Sequence, residues 1–276
     1  MEEEQQQPQQ QQQEQVAKPR ATALGRRMLG YEAVLSPSSQ CDSPMVISLR
    51  LWKAANDVVP GTIKREAVHK PVAFELDTQF GQYMCKTAAQ LMDRLTYAKS
   101  AYVHHDEINL VLPKQPKRTA STALAAHVAS VASVMLRQMV LSDAAVKVPH
   151  LSDAHFTFEA VVSKFPDQWE AVNYLVWRRT DFCLPRSKLA WCASHLGHSM
   201  VKGLPTRTAV EMTEASTDAK WADQPSHHRL GTLLVRRSVW VQHLGAWRPS
   251  VETEVPEHLE RADDATVALV FAVEIQ

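Results

Sequence analysis

In Tyr102-Val103-His104-His105-Asp106-Glu107-Ile108-Asn109-Leu110-Val111-Leu112, the residues Ile108, Leu110 and Leu112 alternate with Asn109 and Val111. That is the period-2 pattern of a β-strand with one strongly buried face. Together with the residues before it, the stretch reads as strand, polar corner, strand. Asp106 and Glu107 stand side by side at the corner. Adjacent anions repel, and neither residue is a good strand former. A Mg²⁺ site reverses that cost, because a hard divalent cation requires oxygen ligands. A solvated turn is the alternative reading of the same residues.

The flanking segments give the corner its setting. Met45 to Trp52 reads as a buried strand. Phe80 to Ala98 is an amphipathic helix, with Tyr83, Met84, Ala88, Leu91, Met92 and Leu95 at steps of three and four. Ser121 to Val140 is a second helix, rich in small apolar residues, and Phe156 to Phe165 a further strand. Strand, helix, hairpin, helix and strand in this order predict an α+β fold. It is a palm-like, ferredoxin-like β-α-β-β-α-β antiparallel sheet with helices on one face and additional C-terminal helices. The carboxylates then fall at one end of the central hairpin, the position that nucleotide-polymerising palm domains use for two-metal chemistry.

The totals are those of an ordinary globular chain. Among 276 residues, 45% are hydrophobic and the formal net charge is zero, so no global basic field marks a nucleic-acid binder and any RNA surface has to be local. Cys41, Cys85, Cys183 and Cys192 form no CxxC pair and read as reduced thiols. No run of about 18 apolar residues stands out as a membrane span. The start Met1-Glu2-Glu3-Glu4 speaks against a signal or transit peptide. A cytoplasmic location is expected, with nucleus and mitochondrion as alternatives.

Residues 1–19 form a Gln-rich tract expected to be a disordered tail. Residues 20–245 are expected to form the catalytic-type domain, a palm with a helical extension, and 246–276 a C-terminal extension. In detail, Asp167 to Arg179 is predicted helical, Pro185 and Arg186 an interruption, and Lys188 to Gly197 another helix. Trp247 to Glu260 is predicted as a loop and Thr266 to Val273 as a β-like run. Cys192, His195 and His198 raise a zinc site as an alternative, although three-residue steps drift around a helix and no fourth ligand is evident.

Five segments in order resemble the tRNA(His) guanylyltransferase family, and in particular its bacterial-type 3′–5′ RNA polymerase members. They are Leu24 to Glu32, Ala101 to Ile108, Val172 to Asp181, Ser194 to His198, and Asp223-Gln224-Pro225 with Arg229-Leu230-Gly231. The resemblance implies transfer of a nucleotide to the 5′ end of tRNA. Mg²⁺ would be the cofactor, GTP and ATP the substrates, and tRNA or another structured RNA the partner. It also implies a homo-oligomer, dimer or tetramer, with membership of a ribonucleoprotein as an alternative.

The chain departs from the family pattern where the chemistry lies. Trp52 stands where the first metal-binding Asp belongs, and an indole offers no oxygen. Lys53 replaces a Gly, His105 the corner Ser, Ala126 a Lys, and Pro185 an Asn, while Phe158-Glu159-Ala160-Val161 lacks the Arg of its motif. The expectation is a guanylyltransferase-like protein with weak or lost nucleotidyl transfer, acting in RNA binding or as a scaffold. The alternative is an active enzyme. In that case Asp106 and Glu107 are the catalytic pair, Asp106, Glu107 and Asp57 the metal ligands, and Arg27, Lys53 and His105 the nucleotide contacts. Arg178 and Arg179 are the expected RNA contacts.

Overall fold

A computed structural model of the chain describes residues 22–33, 43–53, 78–114, 120–142, 156–242, 246–256 and 259–272. The 1–19 tail and Asp57 lie outside the described residues. Of Trp52 and Lys53 only the backbone is described.

The period-2 segments form one antiparallel sheet, in the order β4-β1-β3-β2-β5-β6. Its strands are β1 (Met45–Lys53), β2 (Ser100–His104), β3 (Glu107–Leu112), β4 (Phe156–Lys164), β5 (Thr232–Val241) and β6 (Ala246–Glu254). The first four, with helices α2 (Thr78–Arg94) and α3 (Ser121–Ser142), are the expected β-α-β-β-α-β unit. β5 and β6 extend the sheet beyond β2.

The sheet is covered on both faces. Phe80, Met84, Leu91 and Met92 of α2 and Val128, Leu136 and Val140 of α3 pack on Ile47, Leu49, Ile108 and Leu110. On the opposite face of the sheet, Val46, Tyr102, Val111 and Leu233 meet Met28 of α1 (Ala23–Ala33) and Val172, Tyr174 and Trp177 of α4 (Gln168–Trp177). Every residue of β2 and β3 is therefore buried, which a one-sided strand would not be. α3 is long and apolar enough to cross a membrane by length and composition alone, a correction to the expectation that no segment is. It lies along the sheet with its buried stripe in the core, as the core helix of a globular fold does.

Three further expectations are corrected. Pro185 and Arg186 do not interrupt the chain: α4 runs through a π-helical segment, Arg178–Cys183, directly into α5 (Leu184–Leu196). The segment that carries Trp247 is β6, an edge strand, where Pro249 costs no ladder bond because one side is unpaired. The run at Thr266 is helical. Short helices α6 (His198–Val201), α7 (Thr206–Ser216) and α8 (Ser226–Arg229) precede it in the chain, and α9 (Asp264–Val270) starts where Asp263 accepts a hydrogen bond from the Thr266 amide at 2.9 Å.

Gly231 leads into β5 with φ of 80°, and a Cβ there would come within 2.7 Å of the Tyr102 ring and hydroxyl and 2.8 Å of the Val103 carbonyl oxygen. Neither the backbone conformation nor the space suits a side chain. Gly231→Ala is expected to lower stability by about 1–3 kcal/mol in urea unfolding, as a substitution at a strained site does.

Candidate functional site

The β2–β3 hairpin closes through the two-residue corner His105-Asp106, with His104 opposite Glu107. His105 takes φ of 55°. A tight hairpin asks for positive φ, and His tolerates it better than most side chains. The Leu51 amide donates to the Asp106 carbonyl at 2.9 Å, so β1 is fastened to the corner at the point where the chain reaches Trp52.

Glu107 points toward the face covered by α4 and is 0% exposed, and Arg178 beneath it is 1% exposed. Arg178 grips Glu107 with two donors, Nε to Oε1 at 2.7 Å and Nη2 to Oε2. Asn109 donates to the same Oε1 at 3.0 Å. Arg186 then bridges the corner, donating from Nη1 to Asp106 Oδ2 and from Nη2 to Glu107 Oε2, each at 2.8 Å. Its Nε reaches the Phe182 carbonyl at 3.3 Å. Glu32 of α1 joins from the side: it accepts from Arg50 at 2.6 Å and from the Tyr174 hydroxyl at 2.7 Å, and lies 3.6 Å from Arg178 Nη1. Three carboxylates and three guanidiniums balance.

Burial alone would raise the pKa of Glu107. The charges of Arg178, Arg186 and Arg50 and the Arg178 hydrogen bonds outweigh it, and hold the carboxyl well below its usual range. Arg178 and Arg186 lose by desolvation and gain more from the acids they face, so both are held more firmly protonated than usual. Burial pushes the Cys183 thiol up, which keeps it neutral beside these charges.

The π-helical segment is what brings both arginines to the corner. Residues eight apart on a regular α-helix point about 80° away from each other. A π turn absorbs one extra residue, which returns Arg186 to within about 20° of the direction of Arg178. The bond that marks this turn runs from the Leu184 amide to the Arg179 carbonyl, and the next residue, Pro185, has no amide hydrogen to satisfy.

On the other side of the hairpin, His104 is buried with Nε2 3.0 Å from the His228 carbonyl and Nδ1 2.9 Å from the Tyr102 hydroxyl. A carbonyl only accepts, so Nε2 carries the proton of the neutral ring, while the Tyr102 hydroxyl beside Nδ1 also donates to the Leu230 carbonyl at 2.9 Å. Burial lowers the His104 pKa to about 3. Burial, with the charges of His227 and His105, lowers that of His228 to about 4.

The expected site residues are thus only partly brought together. Asp106, Glu107 and His105 share the corner. Arg27 does not reach it: its guanidinium pairs with Glu170 on α4. Arg178 and Arg179, expected on RNA phosphates, are turned inward. Arg179 is 4% exposed and donates to the Leu259 carbonyl. Corrected accordingly, Arg178 is the partner of Glu107 and Arg179 ties the C-terminal segment to the helix. His195 Nδ1 lies 2.9 Å from the Trp191 carbonyl, and no cluster of three or more metal-ligating side chains occurs among the described residues, so the zinc alternative has no support there. Sequence reasoning missed Arg186, Arg50 and Glu32. Glu32 lay inside a quoted motif, and Arg186 was hidden by the π turn.

The residues at the corner do not fit a two-cation site among those described. Three of the four carboxylate oxygens of Asp106 and Glu107 already face guanidinium donors. Only Asp106 Oδ1 is buried without a hydrogen-bond partner. Asp57, the third expected ligand, lies outside the described residues.

The chain has the fold of the tRNA(His) guanylyltransferases. Among solved structures, it is similar to a bacterial tRNA(His) guanylyltransferase-like protein in complex with ATP, with a TM-score of 0.55 and 17% identity over 83% of this chain and 91% of that one. A bacterial protein of the same description in complex with GTP gives 0.52 and 17% over 85% and 92%. The tRNA(His) guanylyltransferase of Saccharomyces cerevisiae gives 0.52 and 13% over 79% and 92%. At the level of sequence, no family model and no curated protein matches.

Two outcomes are expected. Arg178→Met leaves Glu107 buried with half of its neutralisation, and is expected to cost about 3–5 kcal/mol in chemical denaturation. The second concerns pH. The fold holds His104 and His228 neutral at pH values where the unfolded chain, with histidine near 6.5, takes up protons. Their contribution is complete above pH 6.5 and declines as pH falls toward 4. Urea midpoints at pH 7.5 and 5.0 are expected to drop on acidification, and His104→Gln to make the drop shallower.

Proposed function

We propose that this chain is a tRNA(His) guanylyltransferase-like protein with weak or lost nucleotidyl transfer, acting through RNA binding or as a scaffold. One observation carries the reading: the corner carboxylates are already neutralised by Arg178 and Arg186. Transfer of a phosphoryl group depends on charge placed against the transition state. Here the acids at the corner are spent on holding the fold. Trp52 in place of an oxygen donor supports the same conclusion. RNA as partner and nucleoside triphosphates as ligands are proposed from the fold and from its structural neighbours, which are tRNA(His) guanylyltransferases and complexes with ATP and GTP.

A second reading, an active enzyme that adds GTP to the tRNA 5′ end with Mg²⁺, draws on the buried and unpartnered Asp106 Oδ1. The two are separated with the purified full chain, 5′-monophosphorylated and triphosphorylated tRNA, and labelled GTP. Incorporation no greater than that of Asp106→Ala is expected, together with tRNA affinity that falls steeply with salt if the surface contacts phosphates. Incorporation that Asp106→Ala abolishes establishes the second reading instead.

A further inference from the structure

We propose that Arg186 is a tethered cation: its guanidinium takes, on Asp106 and Glu107, the place of a divalent ion and so keeps the corner assembled without metal. The inference deepens the proposed loss of transfer, but its test reads cation binding and not transfer, so either can fail alone.

Four observations support it. A single side chain spans both carboxylates, one Nη on each at 2.8 Å, which is the bridging a cation between adjacent acids would supply. Its Nε is held by the Phe182 carbonyl, so the fork is fixed on the two acids. Asp106 Oδ1 is buried with no partner, an oxygen direction that a guanidinium leaves over and a hard cation would use. The remaining charges count the same way. With Arg186 neutralised, Glu32, Asp106 and Glu107 face only Arg50 and Arg178, and the corner carries one uncompensated negative charge.

The arrangement is built by the backbone. The π turn that aligns Arg186 with Arg178 lies between them, in a helix whose other side is packed in the core. Asp106 is held on its own side by the Leu51 amide and by the hairpin turn, so the acid and the arginine meet as two fixed parts. The Arg186 side chain is 28% exposed and that of Asp106 10%, so the bridge sits at the mouth of the site and removing it opens the acids to solvent ions.

The test uses Mn²⁺ alone, with the full chain, followed by electron paramagnetic resonance of the free ion and by thermal melting. Wild type is expected to take up no Mn²⁺ at the corner. Arg186→Gln is expected to bind one Mn²⁺ per chain with affinity at least about tenfold above wild type, the direction given by removing a positive charge beside two acids. Adding Asp106→Asn to that variant is expected to abolish the gain. Melting of Arg186→Gln is expected to fall in EDTA and to recover with Mn²⁺ more than wild type does. Should Arg186→Gln fail to fold in EDTA, Mn²⁺ has to restore its native circular dichroism. The proposal is overturned by wild type binding as tightly as Arg186→Gln, by a folded Arg186→Gln that binds none, by a gain that persists with Asp106→Asn, or by an unfolded variant that Mn²⁺ does not rescue.

Discussion

A carboxylate in the middle of a sheet, shut away from water, is stable only beside opposite charge. Glu107 meets that condition through Arg178 and Arg186, and much of the architecture follows from it. The helix that supplies both arginines has to lie on the Glu107 face of the sheet and not on the face that α2 and α3 cover. α1 is drawn to the same face because Glu32 balances Arg50 and approaches Arg178. Ion pairs of this kind add little net stability over apolar packing, since desolvation offsets most of the attraction. Their effect is selective: a helix docked one turn away would leave a buried acid bare.

The corner was legible in the sequence, and so was most of the sheet. Period-2 alternation through Ile108, Leu110 and Leu112 reports the strand directly, and the three-and-four spacing of Tyr83, Met84, Ala88 and Leu91 reports α2. The segments that misled did so for definite reasons. Val267, Leu269 and Phe271 alternate as a strand would, but Asp263 caps the chain there and Val267, Val270 and Phe271 face the core at helical intervals. Pro249 reads as a loop residue until β5 supplies a partner on one side only.

The site was harder to read than the fold. Asp106 and Glu107 advertise themselves as a pair, but their partners come from positions 71 to 80 residues distant. Arg178 and Arg179 look like surface cations in a one-dimensional pattern. Burial of a guanidinium is decided by what lies opposite it, which local periodicity does not contain. Acids at a hairpin corner are therefore ambiguous between an ion-binding role and a structural one until the cations facing them are placed.

The single widened turn between Arg178 and Cys183 has a consequence for how such a site is acquired. The same two arginines on an uninterrupted rod would diverge by nearly a quarter of its circumference, and only one would reach Glu107. At a spacing of eight, matching charges thus depends on the wide turn as well as on the two arginines. A chain one codon shorter here would regularise the rod, set the two arginines seven residues apart and leave them within about 20° of one another, so the wide turn and a deletion are two routes to one alignment.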